Sequence, residues 1–217
     1  MKSFCIIGLG KFGISLAHAL IAEGKQIMII DNDTEKVTML ADSVTNAVIG
    51  DATNMNLLKA SGVADYDCAV VCMTENISDI ILITIQLKEL GVKHVIARAV
   101  SDGHKKVLEH IGADEITYPE HDMGERLAFR LSNSSITDFV QFKGYKVIEM
   151  VVPESWVGKD LITLNLRKAY GVNIIAVRYR DGSLDVSPSP TREFNEGEIV
   201  SVVGDDRDIE IMTEKIK

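Results

Sequence analysis

The sequence predicts an α/β chain, a doubly wound parallel sheet followed by a small α+β domain. Three observations carry this. Apolar runs of strand length alternate with helical stretches through six strands before Pro119. The first run enters a glycine-rich loop, Gly8-Leu9-Gly10-Lys11-Phe12-Gly13, at the mouth of a helix. Beyond Phe139 the period changes, and strand-like runs and short helical pieces are separated by turn signals.

Ser3–Ile7 reads as a short buried strand, the glycine loop follows, and Ile14 to Glu23 is helical. A second apolar run, Gln26–Ile30, ends in Asp31, 18 residues after Gly13. Strand, GxGxxG, helix, strand and acid in this order form the signature of a dinucleotide-binding Rossmann unit. Gly8 permits the tight turn, Gly10 lets the backbone approach a pyrophosphate, and Gly13 lets the helix pack on the strand. The helix start points its unpaired N–H groups and the positive end of its dipole at the phosphates. Asp31 then accepts hydrogen bonds from ribose hydroxyls, and its charge disfavours a 2′-phosphate.

A helix is expected over Thr34–Ala41, a strand over Ala47–Ile49, and a helix ending near Ser61 with Gly62 as its stop. Cys68–Met73 is continuously apolar, as a strand covered on both faces should be. Thr74–Leu90 reads as a helix, His94–Arg98 as a strand, Lys105–Ile111 as a helix and Glu115–Tyr118 as a sixth strand ended by Pro119. A helix over about Glu125–Asn133 leads out of the sheet. The boundaries expected are 1–133 for the Rossmann domain, a polar linker at 134–138 and an α+β domain over 139–217. In the latter, strands are expected at Lys146–Val152, Asn173–Tyr179 and Ile199–Val203, with helices at Leu161–Tyr170 and Asp205–Lys215. Arg180-Asp181-Gly182-Ser183 reads as a hairpin turn. Trp156 is the expected anchor of this core.

The 217 residues carry 23 Lys+Arg against 32 Asp+Glu, a net charge of −9, so a nucleic-acid partner held through a basic surface is excluded. Apolar runs stay well short of the roughly 18 residues a membrane span needs. The first strand begins at Ser3, which leaves no room for a signal peptide and points to a cytoplasmic chain. Cys5, Cys68 and Cys72 all lie in apolar runs and are expected as buried free thiols. Catalysis has little to build on: His18, His94, His104, His110 and His121 are scattered, and no tyrosine has a lysine four residues on. His104 and His121 follow strand ends and are the two histidines able to approach a ligand. Asp51 either contacts a ligand or caps the next helix.

The strings IIGLGKFG, IGDATN, HVIARA and VLEHIGADEITYPEHDMGERLA, followed by LRKAYGVNIIAVRYRDG, SPSPTREFNEGE and VSVVGDDRDI, resemble the RCK (regulator of K⁺ conductance) family of the Ktr/Trk potassium-uptake systems. The resemblance runs from end to end. A single Rossmann-plus-C-terminal pair is similar to the undublicated Ktr type. It implies a non-enzymatic cytosolic subunit whose dimers assemble into an octameric ring on the inner face of the membrane. The implied partner is an integral-membrane K⁺-translocating subunit of the KtrB/TrkH type, and the implied ligands are ATP or ADP, or NAD(H) in some members.

Position by position, the resemblance assigns Gly8, Gly10, Lys11, Phe12 and Gly13 to the phosphates, Asp31 with Asp33 to the ribose, and Asp51, Ala52 and Thr53 to the adenine side. Lys11 stands where several relatives carry an arginine that contacts a γ-phosphate; it keeps the charge without the bidentate fork. Arg98 is placed at phosphate level. Glu120 matches a glutamate that, from paired subunits, helps hold a divalent cation (Mg²⁺ or Ca²⁺). In the C-terminal domain the resemblance implies a cyclic di-AMP site of Arg167 and Asn173, with Ile174, Ile175 and Pro190 as apolar walls. The alternative to a gating subunit is an NAD(H)-binding redox sensor or oxidoreductase.

Overall fold

A computed structural model describes residues 2–73, 76–133 and 135–216 of the chain. It divides into two compact units, Met1–Glu120 and His121–Lys217.

In the first unit six strands pair in parallel: β1 (Ser3–Ile7), β2 (Gln26–Asp31), β3 (Asn46–Ile49), β4 (Cys68–Val71), β5 (Val95–Arg98) and β6 (Glu115–Thr117). Their order is β3-β2-β1-β4-β5-β6, so the chain winds outward from β1 in one direction and then returns to its other side. Ile7 pairs in register with Ile30 of β2 and Val71 of β4, which levels the carboxyl ends of the three strands. A cleft belongs at such a reversal.

Five helices cover the two faces: α1 (Lys11–Ala22), α2 (Thr34–Ala41), α3 (Met55–Ser61), α4 (Ile77–Glu89) and α5 (Asp102–His110). Strand alternation sorts the core. Ile6, Ile27 and Ile29 pack with Ala17 of α1 and with Val37 and Leu40 of α2. Cys5, Ile7, Met28 and Ile30 pack on the other face with Leu58, Ile80, Ile83, Leu87 and Leu108 of α3, α4 and α5. Burying each such isoleucine or leucine contributes about 1.5–3 kcal/mol. The three thiols are buried and free; burial raises all of them, Cys68 to about 11 and Cys72 to about 12.

Helix starts follow their caps. Asp33, Asn54, Asn76 and Ser101 each accept backbone N–H bonds at the starts of α2 to α5. The Ser101 cap explains why α5 begins before the expected Lys105. Thr74 and Glu75, expected as the first turn of α4, lie outside the described residues. Gly62 takes the left-handed conformation, φ +74°, as the stop of α3.

Helix α6 (Pro119–Ser132) begins six residues before the expected Glu125. Proline fixes φ near the helical value and has no N–H to leave unpaired, so Pro119 opens a helix as well as it ends a strand. The boundary between the units falls in the first turn of α6, ahead of the expected boundary near 133.

The second unit is an antiparallel sheet, β10-β9-β11-β8-β7, of β7 (Ile136–Phe142), β8 (Tyr145–Val151), β9 (Asn173–Arg178), β10 (Leu184–Asp185) and β11 (Ile199–Asp205). Residues 136–138, expected in a linker, are the start of β7: Ile136 is buried and pairs with Met150. Ser134 lies outside the described residues. Ile148, Met150, Val177, Val200 and Val202 form the inner face, on which Trp156 and Phe194 meet at 6.3 Å between ring centroids. The expected helix over 161–170 is two pieces, α7 (Leu161–Leu164) and α8 (Leu166–Tyr170), broken by Asn165 at φ +43°. The hairpin turn is as expected, with Tyr179 N–H donating to Ser183 O at 2.9 Å. Helix α9 (Asp206–Lys215) closes the chain, capped by Asp205. Among the described residues no helix is long and apolar enough to cross a membrane.

Candidate functional site

The carboxyl ends of β1, β2 and β4 frame two small cavities that share Gly8, Asp31, Asn32 and Met73. The larger, ≈ 100 Å³, adds Gly10, Lys36 and Cys72; the smaller, ≈ 30 Å³, adds Gly50, Asp51 and Ala52. The glycines differ in what they do. Gly8 stands at φ +94°, and a Cβ there would lie 2.6 Å from Met73 Cγ. A Cβ on Gly13 would meet Gly8 O at 2.1 Å, so helix and turn touch backbone to backbone. Among the described residues a Cβ on Gly10 meets nothing within 4 Å. Gly10 opens onto the cavity.

Gly10 is the N-cap of α1, and this start has no side-chain cap bond and no acid in its first turn. The first-turn N–H groups of a helix have no intrahelical acceptor. An uncapped twelve-residue helix with its positive end at a cavity is suited to an anion. Lys11, the first helical residue, is exposed and adds charge.

Arg98 supplies a buried cation near the same place. It is 7% exposed at the end of β5, with its guanidinium 5.3 Å from the Phe12 ring centroid. Nη1 donates to Cys72 O at 3.4 Å, Nη2 pairs with Glu120, and buried Nε has no partner. Glu120, expected at a cation, therefore faces an arginine. Among the described residues no group of three His, Cys, Asp or Glu side chains is arranged to hold a metal ion.

The Asp31 carboxylate holds the loop together: Oδ2 accepts from Leu9 N–H and Oδ1 from Asp33 N–H at 2.8 Å. Asp33, expected to assist at a ribose, caps α2 in this structure, bonded to Glu35 and Lys36 N–H and paired with Lys36 at 3.2 Å. These bonds, Lys36's first, hold its carboxyl below the usual range. Asp51 does not cap α3; that role is Asn54's. Its Oδ1 accepts from the hydroxyl of Thr53 at 2.7 Å and from Thr53 N–H at 2.9 Å, which lowers its pKa and folds Asp51-Ala52-Thr53 into a tight turn beside Asp31. Met73, Asn32, Lys36 and Cys72 were not among the expected site residues; they reach the cavity only because β2 and β4 flank β1.

His104 is buried, with neither ring nitrogen hydrogen-bonded, and burial lowers its pKa. His121 sits 3.5 Å from both Asp122 and Glu125 on α6. Neither lines the two cavities.

The expected cyclic di-AMP residues are less coherent. Arg167, Asn173 and Pro190 are exposed. Ile174 packs into the core of the second unit, whereas Ile175 is 43% exposed. Ile174 pairs with Val202 and Ala176 with Ser201, so Ile175 is the extra residue of a bulge.

Residues 4–119 match the TrkA-N domain family and residues 147–217 the TrkA-C domain family. The chain is 39% identical to the Ktr system potassium uptake protein C of Bacillus subtilis (strain 168), over 96% of this chain and 94% of that one. Its fold superposes on a solved chain described as the GsuK channel with a TM-score of 0.72 at 18% identity, covering 99% of this chain and 39% of that one. The Kef C-terminal domain of Shewanella denitrificans, solved in an AMP-bound form, matches 60% of this chain and 82% of its own length, with 25% identity and a TM-score of 0.52. The chain belongs to the RCK family, in its Ktr/Trk potassium-uptake branch.

Proposed function

We propose that this chain is a cytoplasmic regulatory subunit that binds an adenine nucleotide at the β1–β2–β4 edge and controls K⁺ flux through an integral-membrane partner. The observation that carries the reading is the uncapped start of α1. Its free N–H groups, open Gly10 and nearby Arg98 favour phosphate, and Asp31 and Asp51 border the ribose and base side. The AMP-bound relative supports an adenine nucleotide over other anions. ATP and ADP are the ligands to compare. A nucleotide controls the assembly only by its differential affinity for two shapes, so the γ-phosphate must meet different surroundings in each.

The subunit acts in this reading as a homo-oligomer on the inner face of the membrane; the Ktr relative, named for a potassium-uptake system, supports the K⁺-transporting partner. A cation bound with the nucleotide would use Glu120 once Arg98 turns to phosphate. Cyclic di-AMP, where bound, would rest on Arg167, Asn173, Ile175 and Pro190 without Ile174. Calorimetric titration with ATP, ADP, NADH and cyclic di-AMP, with and without Mg²⁺ or Ca²⁺, tests the reading. Binding of ATP and ADP with weak NADH supports it; tight NADH with no ATP response replaces it with redox sensing.

A further inference from the structure

Helix α4 contains one polar side chain that its apolar environment does not explain. Gln86 lies on the buried face with Ile83 and Leu87 and is 9% exposed. Its Nε2 donates to Thr53 O at 3.0 Å, and its Oε1 is buried without a partner. The acceptor at Thr53 fixes which end of the amide faces it. A leucine here would fill the same space and remove Oε1, but it would leave Thr53 O without its donor. What the amide touches is the turn beside the cavity.

That turn is held at three points. Gly50 N–H donates to Asp31 O at 2.9 Å at its start. Asp51 Oδ1 accepts from Thr53 N–H and hydroxyl within it, and Asn54 N–H reaches Asp51 O at 3.1 Å. Gln86 secures the far end through the carbonyl of Thr53, which precedes the Asn54 cap and lies outside the hydrogen-bond ladder of α3. Asp51 and Ala52, between the fixed ends, line the cavity.

We infer that Gln86 is a positioning residue: by anchoring Thr53 it fixes the Asp51–Thr53 turn and thereby sets which base the cavity accepts. This rests on the adenine-nucleotide reading above. The side chain acts through the turn, not on the ligand, because it is not among the residues that line either cavity.

The test compares wild type with Gln86→Leu and Gln86→Met, the second keeping the unbranched shape should the first fold poorly. Amide hydrogen exchange without ligand should quicken about fivefold at Thr53 and Asn54, the worth of one hydrogen bond, and stay unchanged at Gly50. ADP affinity should fall by a similar factor while GDP affinity holds, so the ADP-to-GDP ratio drops about fivefold. Thermal stability should change little, because the unmet Gln86 Oε1 is exchanged for an unmet Thr53 O, so a drop in the ADP-to-GDP ratio at level stability separates positioning from a merely structural role. Unchanged exchange at 53–54, or an unchanged ratio with both affinities intact, overturns the inference. Wild type that binds no adenine nucleotide overturns the function proposed above and this inference with it, and that failure is seen before any variant is made.

Discussion

Arg98 and Glu120 pair with each other across 22 residues of sequence. Arg98 is buried at the end of β5, while the Glu120 side chain is 65% exposed in the first turn of α6. The family resemblance assigns the first to a phosphate and the second to a cation. In this structure each neutralises the other. A guanidinium has five N–H donors in a fixed plane, and here one edge faces Glu120 and one faces Cys72 O. A phosphate arriving at α1 competes with the carboxylate for the same edge.

Glu120→Gln should therefore raise cation-free ADP affinity two- to fivefold. The gain is small because an ion pair with one partner largely in water is worth no more than about 1 kcal/mol. Calorimetry in the presence of a chelator checks it. A fall in affinity would show that Glu120 orients Arg98 for the ligand and does not compete with it.

Gly10 and Gly13 belong to one motif and should fail in opposite ways. Gly10→Asp places a favourable cap on α1 in open space, so the melting temperature should hold or rise slightly. The new carboxylate occupies the anion site, and ADP binding should fall at least about a hundredfold by repulsion and lost access to the N–H groups. Gly13→Ala drives a methyl into Gly8 O, and the clash should cost about 3 kcal/mol in urea unfolding. Equal loss of stability in both variants would contradict the assignment of Gly10 to the ligand.

Much of the first unit was legible because its signals are local. Five residues of β1, the glycine loop and Asp31 state strand, turn, helix and acid within one stretch of chain. What was missed depends on partners far away in sequence. Ile136 looks like part of a polar linker until Met150 pairs with it. Pro119 carries the same signal for a strand end and a helix start, and only the succeeding turn decides. Asp33 and Asp51 are expected at a ligand from the resemblance, and the local N–H donors that also bond both carboxylates are contacts that motif position alone does not reveal. Gln86 reads as a neutral helix residue; its meaning comes from Thr53, 33 residues earlier.

Asn165 marks where helical propensity gives way to a turn. Its φ of +43° lies in the left-handed region that glycine and asparagine tolerate and β-branched residues do not. Asn165→Gly should leave stability within about 0.5 kcal/mol, and Asn165→Val should cost about 1–2 kcal/mol. Urea denaturation separates the two. Equal cost would mean that the asparagine side chain, not the backbone, holds the break between α7 and α8.

The second unit should respond to acid in part through one buried pair, beside Asp138, Asp160 and Asp181, whose carboxyls are also held low. Glu198 is nearly fully buried, pairs with Arg192, and accepts from Asn195 N–H at 2.9 Å and Asn195 Nδ2 at 3.1 Å. Burial opposes its charge most strongly, yet Arg192 and Asn195 together outweigh it and hold the carboxyl below its ordinary 4.5. A depressed folded value means the stabilisation is complete above the unfolded pKa and is lost as pH falls through the folded one. Between pH 7 and pH 5 the pair should contribute a constant amount; below about pH 4.5 its contribution should decline. Glu198→Ala leaves Arg192 stacked on Tyr179 and Phe194 with its charge unpaired, and should cost about 3 kcal/mol at pH 7. Glu198→Gln should flatten the acid limb of the stability curve while costing less. Unfolding of the variants followed by Trp156 fluorescence from pH 3 to pH 7 decides the matter. An acid limb equally steep in Glu198→Gln would place the titrating group elsewhere.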